Sequence, residues 1–280
     1  MHFDIVTIFP DFFGSSEPAA GIFGHGILRR ALLAGLVRAE THNLRDYAHD
    51  RHHTVDDRPF GGGEGMVLKP EPLAEAVDAL GVAPREARAA RRESVVLLSA
   101  GGVRLDQGVA QELARLERVV LLCGRYEGVD ERVVTLVADR ELSVGDYVLS
   151  GGELAAAIVV DAVARLVPGV LGNAASSRFE SFGAEDALLG GAAGGPPRAT
   201  HGAGGLLDYP HYTRPAEFRG LAVPQVLTNG NHEEVRRWRR EEALKRTARN
   251  RPDLLAAAEQ AGALGSADRE FLARLGREES

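Results

Sequence analysis

The sequence predicts an α/β protein, a largely parallel sheet with helices between its strands, followed by a small helical domain. Three observations point there. Short apolar runs at Phe3 to Ile8, Val95 to Leu98 and Val119 to Cys123 read as strands buried on both faces, with segments of helical period between them. A tract of Gly, Ala and Pro over residues 183–204 cannot bury enough apolar surface to order itself, so it divides the chain. The chain beyond that tract is helical in pattern and rich in arginine. The expected organisation is therefore an α/β domain over 1–172, a flexible linker over 173–206 and a helical, arginine-rich domain over 207–280.

The elements follow in order. The first strand is expected directly from Phe3, and a helix over Gly26 to Ala34 comes next. A second helix, Glu71 to Leu80, stops at Gly81, a residue suited to the left-handed position after a helix. Asp106 to Leu116 should form a third helix between the second and third strands. Glu153 to Leu166 is a helix apolar almost all round (Leu154, Ile158, Val159, Val160, Val163, Leu166) and ends before Pro168-Gly169. Such a helix must be buried, either in the core or against another subunit. In the C-terminal region Asn231 is a capping candidate with Glu233 and Glu234 in the first turn, and Val235 and Trp238 share one face while most arginines point elsewhere.

Composition sets bounds. The 280 residues carry 44% hydrophobic and 26% charged side chains, ordinary for a soluble globular protein. The lone cysteine, Cys123, excludes an internal disulfide and lies in an apolar run, which fits a small buried hydrophobe in a reducing cytoplasm. There is no cationic leader before the first strand and no apolar stretch long enough to span a bilayer. A net charge of −7 argues mildly against nucleic acid, but the distribution of charge matters more than the sum.

Three strand-to-loop junctions are the most informative local features. Val95 to Gly102, Leu121 to Gly128 and Ser143 to Glu153 each run strand-type residues into glycines, where a missing Cβ lets backbone N–H and C=O groups reach a ligand. Taken singly, each could equally be a tight turn after a buried strand. Together, with Tyr126, Glu127 and Asp146 embedded, they suggest one shared pocket. Gly61-Gly62-Gly63-Glu64-Gly65-Met66 lacks the spacing of a dinucleotide fingerprint and no P-loop follows, which speaks against both folds.

Four segments, LLCGRYEGVDERV from Leu121, SVGDYVLSGGE from Ser143, TVDDRPFGGGEGM from Thr54 and GLLDYPHYTRP from Gly205, resemble the bacterial tRNA (guanine-N1)-methyltransferase family of the SPOUT class. The resemblance spans nearly the whole chain. It implies an N-terminal domain with a deep trefoil knot, an exception to the rule that chains do not thread loops, and a small helical C-terminal domain. It implies an enzyme that moves a methyl group from S-adenosylmethionine to N1 of the guanosine immediately 3′ of the anticodon in tRNA. It further implies a homodimer whose active site lies between one subunit's cofactor loops and the partner's linker and C-terminal domain, with Mg²⁺ assisting. No metal-ligand spacing supports a fixed metal site.

Position by position, the resemblance implies that Leu98, Ser99 and Gly101 frame one side of the adenosyl group, and that Gly124, Tyr126, Glu127 and Gly128 supply a second loop. Val144, Gly145, Asp146, Tyr147, Val148, Leu149, Gly151 and Gly152 supply the third. Ala100 stands where the family usually has proline. Glu127 either faces the sulfonium, or is an ordinary surface acid or a partner of Arg125 or Arg132. N1 methylation needs a base near N1 and a cation or donor at O6. The family's aspartate for the first role is matched by Glu180, before Ser181-Phe182, and its catalytic arginine by Arg165. Glu180 is otherwise a solvated linker acid, and Arg165 otherwise a partner of Asp161 four residues earlier. For tRNA the candidates are His211, Tyr212, Arg214, Arg236 and Arg239; the arginines of that helix otherwise form a solvated face. Two other functions stay open: another knotted RNA methyltransferase acting on a ribose hydroxyl or a different base, and a catalytically silent RNA-binding protein.

Overall fold

The computed structural model describes residues 1–14, 21–172, 180–183 and 204–278. The chain divides into two compact units, Met1–Gly172 and Asn173–Ser280. Most of the expected linker, residues 173–179 and 184–203, lies outside the described residues.

Strands β1 (His2–Thr7), β2 (Arg38–Asn43), β5 (Glu93–Arg104), β6 (Arg118–Cys123) and β7 (Arg140–Ser143) form one parallel sheet in the order β2-β1-β6-β5-β7. The two-residue strands β3 (Asp56–Asp57) and β4 (Val67–Leu68) pair separately. Alternation along the central strands divides the core. Phe3, Ile5, Val96, Leu98, Val119, Leu121 and Cys123 face a layer that includes α1 (Gly26–Leu33), α4 (Gln107–Ala114) and α6 (Glu153–Ala164). Val6, Val95, Leu97, Val120 and Leu122 face the opposite layer with α2 (Pro70–Ala79) and α5 (Glu131–Leu136). The short α3 (Arg85–Arg91) precedes β5. Because both faces are covered, the central strands read as unbroken apolar runs; truncating Leu121 to alanine should cost about 2–5 kcal/mol.

The three expected strands and the first four expected helices are present with ends shifted by a few residues, and Gly81 sits at φ 64° as a helix terminator should. β2 was not foreseen. It is an edge strand reading Arg-Ala-Glu-Thr-His-Asn, with Ala39 its single apolar residue, and is partly exposed. β5 also continues beyond Leu98. Leu142 of β7 pairs with both Leu98 and Val103, so residues 99–102 leave the ladder and the strand rejoins it after them. Gly102 makes this possible: a Cβ there would lie 2.5 Å from the Leu142 nitrogen and 2.6 Å from the Glu141 carbonyl carbon, both backbone atoms that cannot swing aside.

α6 buries eight residues, with Ala156, Val159, Val160 and Val163 sealed against the sheet, α1 and α4. Leu154 and Ile158, four residues apart, stay 46% and 43% exposed, leaving an apolar stripe on the unit's surface.

The second unit contains the two-stranded hairpin β8 (Glu217–Phe218) and β9 (Leu221–Ala222), then α7 (His232–Asn250), α8 (Pro252–Gln260) and α9 (Ser266–Glu278). Asn231 caps α7, its side-chain oxygen accepting from the amides of Glu233 and Glu234. Leu206, Leu244, Ala258 and Leu264 form a small core. The face of α7 that meets it carries Arg240, Ala243, Leu244 and Thr247, so Trp238 does not anchor this core.

Candidate active site

A cleft of about 460 Å³ opens at the carboxyl ends of β5, β6 and β7, the edge at which parallel sheets bind ligands. Each expected junction contributes a wall. Leu98, Ser99 and Gly101 line one side; Gly124, Tyr126, Glu127 and Gly128 a second; Val144, Gly145, Tyr147, Val148, Leu149, Gly151 and Gly152 a third. Asp146 is exposed and does not line it. Residues not singled out in the sequence also line the cleft, among them Arg125, Glu131 and Glu141.

The loops are held by backbone contacts. Gly152 N donates to Gly124 O at 2.8 Å, and Arg125 bridges Gly151 in antiparallel fashion. A Cβ on Gly152 would meet Cys123 Cα at 2.7 Å, so this crossing requires glycine. On the other side the amide of Glu127 donates to Met66 O at 3.0 Å, joining the loop after β6 to the glycine-rich segment before β4. Tyr126, half-exposed, adopts φ 59°, a left-handed conformation costly for a non-glycine residue unless its surroundings impose it.

Glu127 pairs with neither arginine weighed for it. Arg125 turns to Glu153, with Nη2 3.0 Å from Oε2, and Arg132 to Asp130 at 2.8 Å. The Arg132 hydrogen bonds hold the Asp130 carboxyl down at about 2. Cys123, buried directly beneath, has its thiol pushed well above the ordinary value by burial, with the Glu153 charge adding to it; this suits a packing residue, not a nucleophile.

Residues 1–257 match the family model described as tRNA (Guanine-1)-methyltransferase TrmD. The chain is 56% identical over 275 residues to the tRNA (guanine-N(1)-)-methyltransferase of Koribacter versatilis, covering 98% of each chain. It is 49% identical to that of Geobacter sulfurreducens over 99% of each, and 49% identical to that of Chloroflexus aggregans over 99% of this chain and 96% of the other. The chain belongs to the tRNA (guanine-N1)-methyltransferase family. The match runs nearly the full length of both this chain and these relatives.

Of the two residues that the resemblance offered as catalytic candidates, Arg165 follows α6, half-buried, its amide donating to Asp161 O at 3.3 Å. Glu180 belongs to the second unit, where Glu180 O accepts from Gly183 N at 3.1 Å. The Ser181 hydroxyl beside it accepts from Asp208 N at 2.9 Å, and Phe182 N donates to Leu206 O. The Glu-Ser-Phe segment is thus pinned to the strand-like residues that lead into the tRNA-candidate stretch.

In that stretch Tyr209, His211, Tyr212 and Trp238 form a ring cluster: Tyr209 to His211 4.4 Å, and Trp238 6.2 Å from both tyrosines. The Arg239 guanidinium lies 4.9 Å from the Tyr209 ring centre, with its Nε buried, while Arg236 and Arg214 are exposed. Arg239 is therefore part of an aromatic stack and Arg236 a solvated cation. Arg240, part of a run expected either to bind phosphate or to form a solvated face, is instead buried against Asp268.

Among the described residues, no cluster of three or more ligating side chains suits the Mg²⁺ that the resemblance implies. Among the described residues, the ligand atoms of three or more His, Cys, Asp or Glu side chains converge in one place, His2, Asp4 and Glu40, at the opposite edge of the sheet. Arg118 holds Asp4 at 2.7 Å and Arg38 holds Glu40 at 2.6 Å, so two guanidiniums already neutralise the carboxylates. A histidine and arginine-paired acids do not suit an ion that wants an octahedron of oxygens. No helix among the described residues is long and apolar enough to cross a membrane.

Proposed function

We propose that this chain methylates N1 of the guanosine immediately 3′ of the anticodon in tRNA, using S-adenosylmethionine. The observation that carries the reading is the full-length family likeness on a chain whose three matched glycine junctions converge on one cleft. The cofactor supplies an electrophilic methyl group on a sulfonium. The walls described above would hold it, backbone amides and carbonyls of residues 98–101, 124–128 and 144–152 reading the adenosyl group, with Glu127 beside the positive charge.

The chemistry left to the side chains is proton removal and charge stabilisation. Guanine N1 carries its proton near neutral pH; the Glu180 carboxylate accepts it, and the Arg165 guanidinium stabilises the negative charge that develops on O6. Glutamate in place of the family's aspartate extends the reach by a methylene and leaves the proton transfer unchanged. His211, Tyr212, Arg214, Arg236 and Arg239 engage the anticodon arm, where a loop base can be splayed onto aromatic side chains.

Two architectural features belong to the same reading. The chain after β7 passes the end of β5 to reach the loop after β6, where Gly152 meets Gly124, the kind of crossing from which a trefoil knot is built. The exposed Leu154–Ile158 stripe of α6 fits a homodimer interface, with each site completed by the partner's linker and C-terminal domain. A reducing cytoplasm, where tRNA resides, fits the single buried thiol.

Methyl transfer to an unmodified tRNA transcript, followed by nucleoside analysis, tests the function. The expected product is 1-methylguanosine at the position after the anticodon. A 2′-O-methylated nucleoside, another methylated base, or tRNA binding without any product would overturn it.

A further inference from the structure

Arg125, part-exposed at the cleft wall, and the buried Glu153 form a pair that ties together three separate parts of the chain. Arg125 Nε lies 3.2 and 3.0 Å from the two Glu153 carboxylate oxygens, Nη2 lies 3.0 Å from Oε2, and Nη1 donates to Ser150 O at 2.9 Å. The Thr7 hydroxyl donates to Glu153 Oε1 at 2.7 Å and accepts from Phe9 N at 3.0 Å. The Phe9 ring lies under the guanidinium, 4.4 Å from Cζ to the ring centre. Glu153 side chain is 4% exposed and Thr7 is fully buried.

The end of β1, the loop after β6 and the loop before α6 thus meet at one guanidinium. Glu153 is the first residue of α6, where the helix dipole favours its negative charge. Arg125 immediately precedes Tyr126, and Gly128 N donates back to Arg125 O at 3.0 Å. The left-handed Tyr126 backbone needs such a frame, because strain of this kind persists only where neighbours over-determine it.

We propose that Arg125 and Glu153, with Thr7, are positioning residues that hold the second and third cofactor loops in binding geometry, so that breaking the pair weakens the methyl donor's binding without slowing transfer from bound donor. The proposal rests on the cleft being the S-adenosylmethionine site. Only arginine serves: its planar fork reaches the carboxylate and the Ser150 carbonyl together, whereas an ammonium on a flexible stem cannot keep that geometry.

The test is calorimetric titration of S-adenosylmethionine into the full chain, alongside single-turnover methylation of tRNA at saturating donor. Arg125→Lys and Glu153→Gln should each raise Kd at least tenfold while the saturated rate stays within about threefold. The double variant should be no weaker than the worse single one, as coupled partners require. Thr7→Val, which preserves shape and removes one hydroxyl, should raise Kd several-fold in a chain that stays folded with a lowered melting temperature, since the Phe9 amide and one Glu153 oxygen lose a partner; it keeps the proposal testable should the charge variants fail to fold. Wild-type Kd in folded Arg125→Lys or Thr7→Val would overturn it, as would a loss confined to the saturated rate. If the unaltered chain binds no S-adenosylmethionine, the assignment of the cleft fails first and the proposal falls with it.

Discussion

The amide of Gly152 donates to the carbonyl of Gly124 at 2.8 Å across two segments that are 28 residues apart, with no room between them for a side chain on Gly152. That crossing joins two of the three walls of the cleft. Gly152→Val places a branched side chain where Cys123 Cα would lie 2.7 Å from the new Cβ. The loops must part, at a cost of about 1–3 kcal/mol or more. Thermal unfolding should show the loss of stability, and calorimetry should find no S-adenosylmethionine binding in the fraction that stays folded; wild-type affinity would remove this crossing from the site.

Glu180→Gln keeps size and removes basicity. Single-turnover methylation should slow by roughly a hundredfold or more, the usual scale of a positioned base, with donor and tRNA affinity unchanged. Glu180→Asp should keep substantial activity, since only reach changes. Equal behaviour of the two variants, with tRNA affinity falling alongside rate, would assign Glu180 to ordering its segment.

The two arginines of α7 should separate. Arg236 is exposed, so Arg236→Ala should weaken tRNA binding and reduce the salt slope by about one phosphate contact. Arg239→Ala removes a cation stacked on Tyr209, and should lower the stability of the second unit by about 0.5–2 kcal/mol in addition to weakening tRNA. Filter binding across salt concentrations and thermal unfolding distinguish the pair.

Arg240 and Asp268 make a two-point contact, Nε–Oδ1 3.0 Å and Nη2–Oδ2 2.8 Å. Burial alone would raise the Asp268 carboxyl, but the Arg240 hydrogen bonds and charge outweigh it and hold the carboxyl below its ordinary value of 3.8. Because the folded value lies below the unfolded one, the stabilisation is fully present above about pH 4 and is lost as pH falls through the folded value. The second unit should therefore weaken on acidification below about pH 4. Asp268→Asn should flatten that limb and cost about 1.5–3 kcal/mol at neutral pH, since it removes the charge from the hydrogen-bonded pair. Denaturant titrations at a series of pH values check both.

Much of the site was legible because glycine and apolar runs are local signals. All the cofactor candidates except Asp146 line the cleft, and each sat at a junction where strand residues give way to glycine. What escaped were partners brought together from far apart. Nothing near Arg125 points to Glu153, and Glu127, two positions on, was the nearer guess. Arg240 looked like its exposed neighbours because a charged residue on a basic helix carries no mark of burial until Asp268 arrives from α9. β2 escapes a reading by apolar pattern because an edge strand can be held by its ladder to β1 with a single apolar residue, Ala39.

By itself, then, the sequence determined the α/β class, the central strands, the helices between them, the cap at Asn231 and the three glycine junctions. Periodicity, capping and turn chemistry act over a few residues and are written wherever those residues occur. The tertiary structure decided the strand order β2-β1-β6-β5-β7, the double pairing of Leu142, the convergence of the junctions on one cleft, the pairing of Arg125 with Glu153 and the burial of Glu153, Arg240 and Asp268. Those depend on which distant segments pack together, and a charged side chain is stable inside only when the fold carries its counter-charge to it.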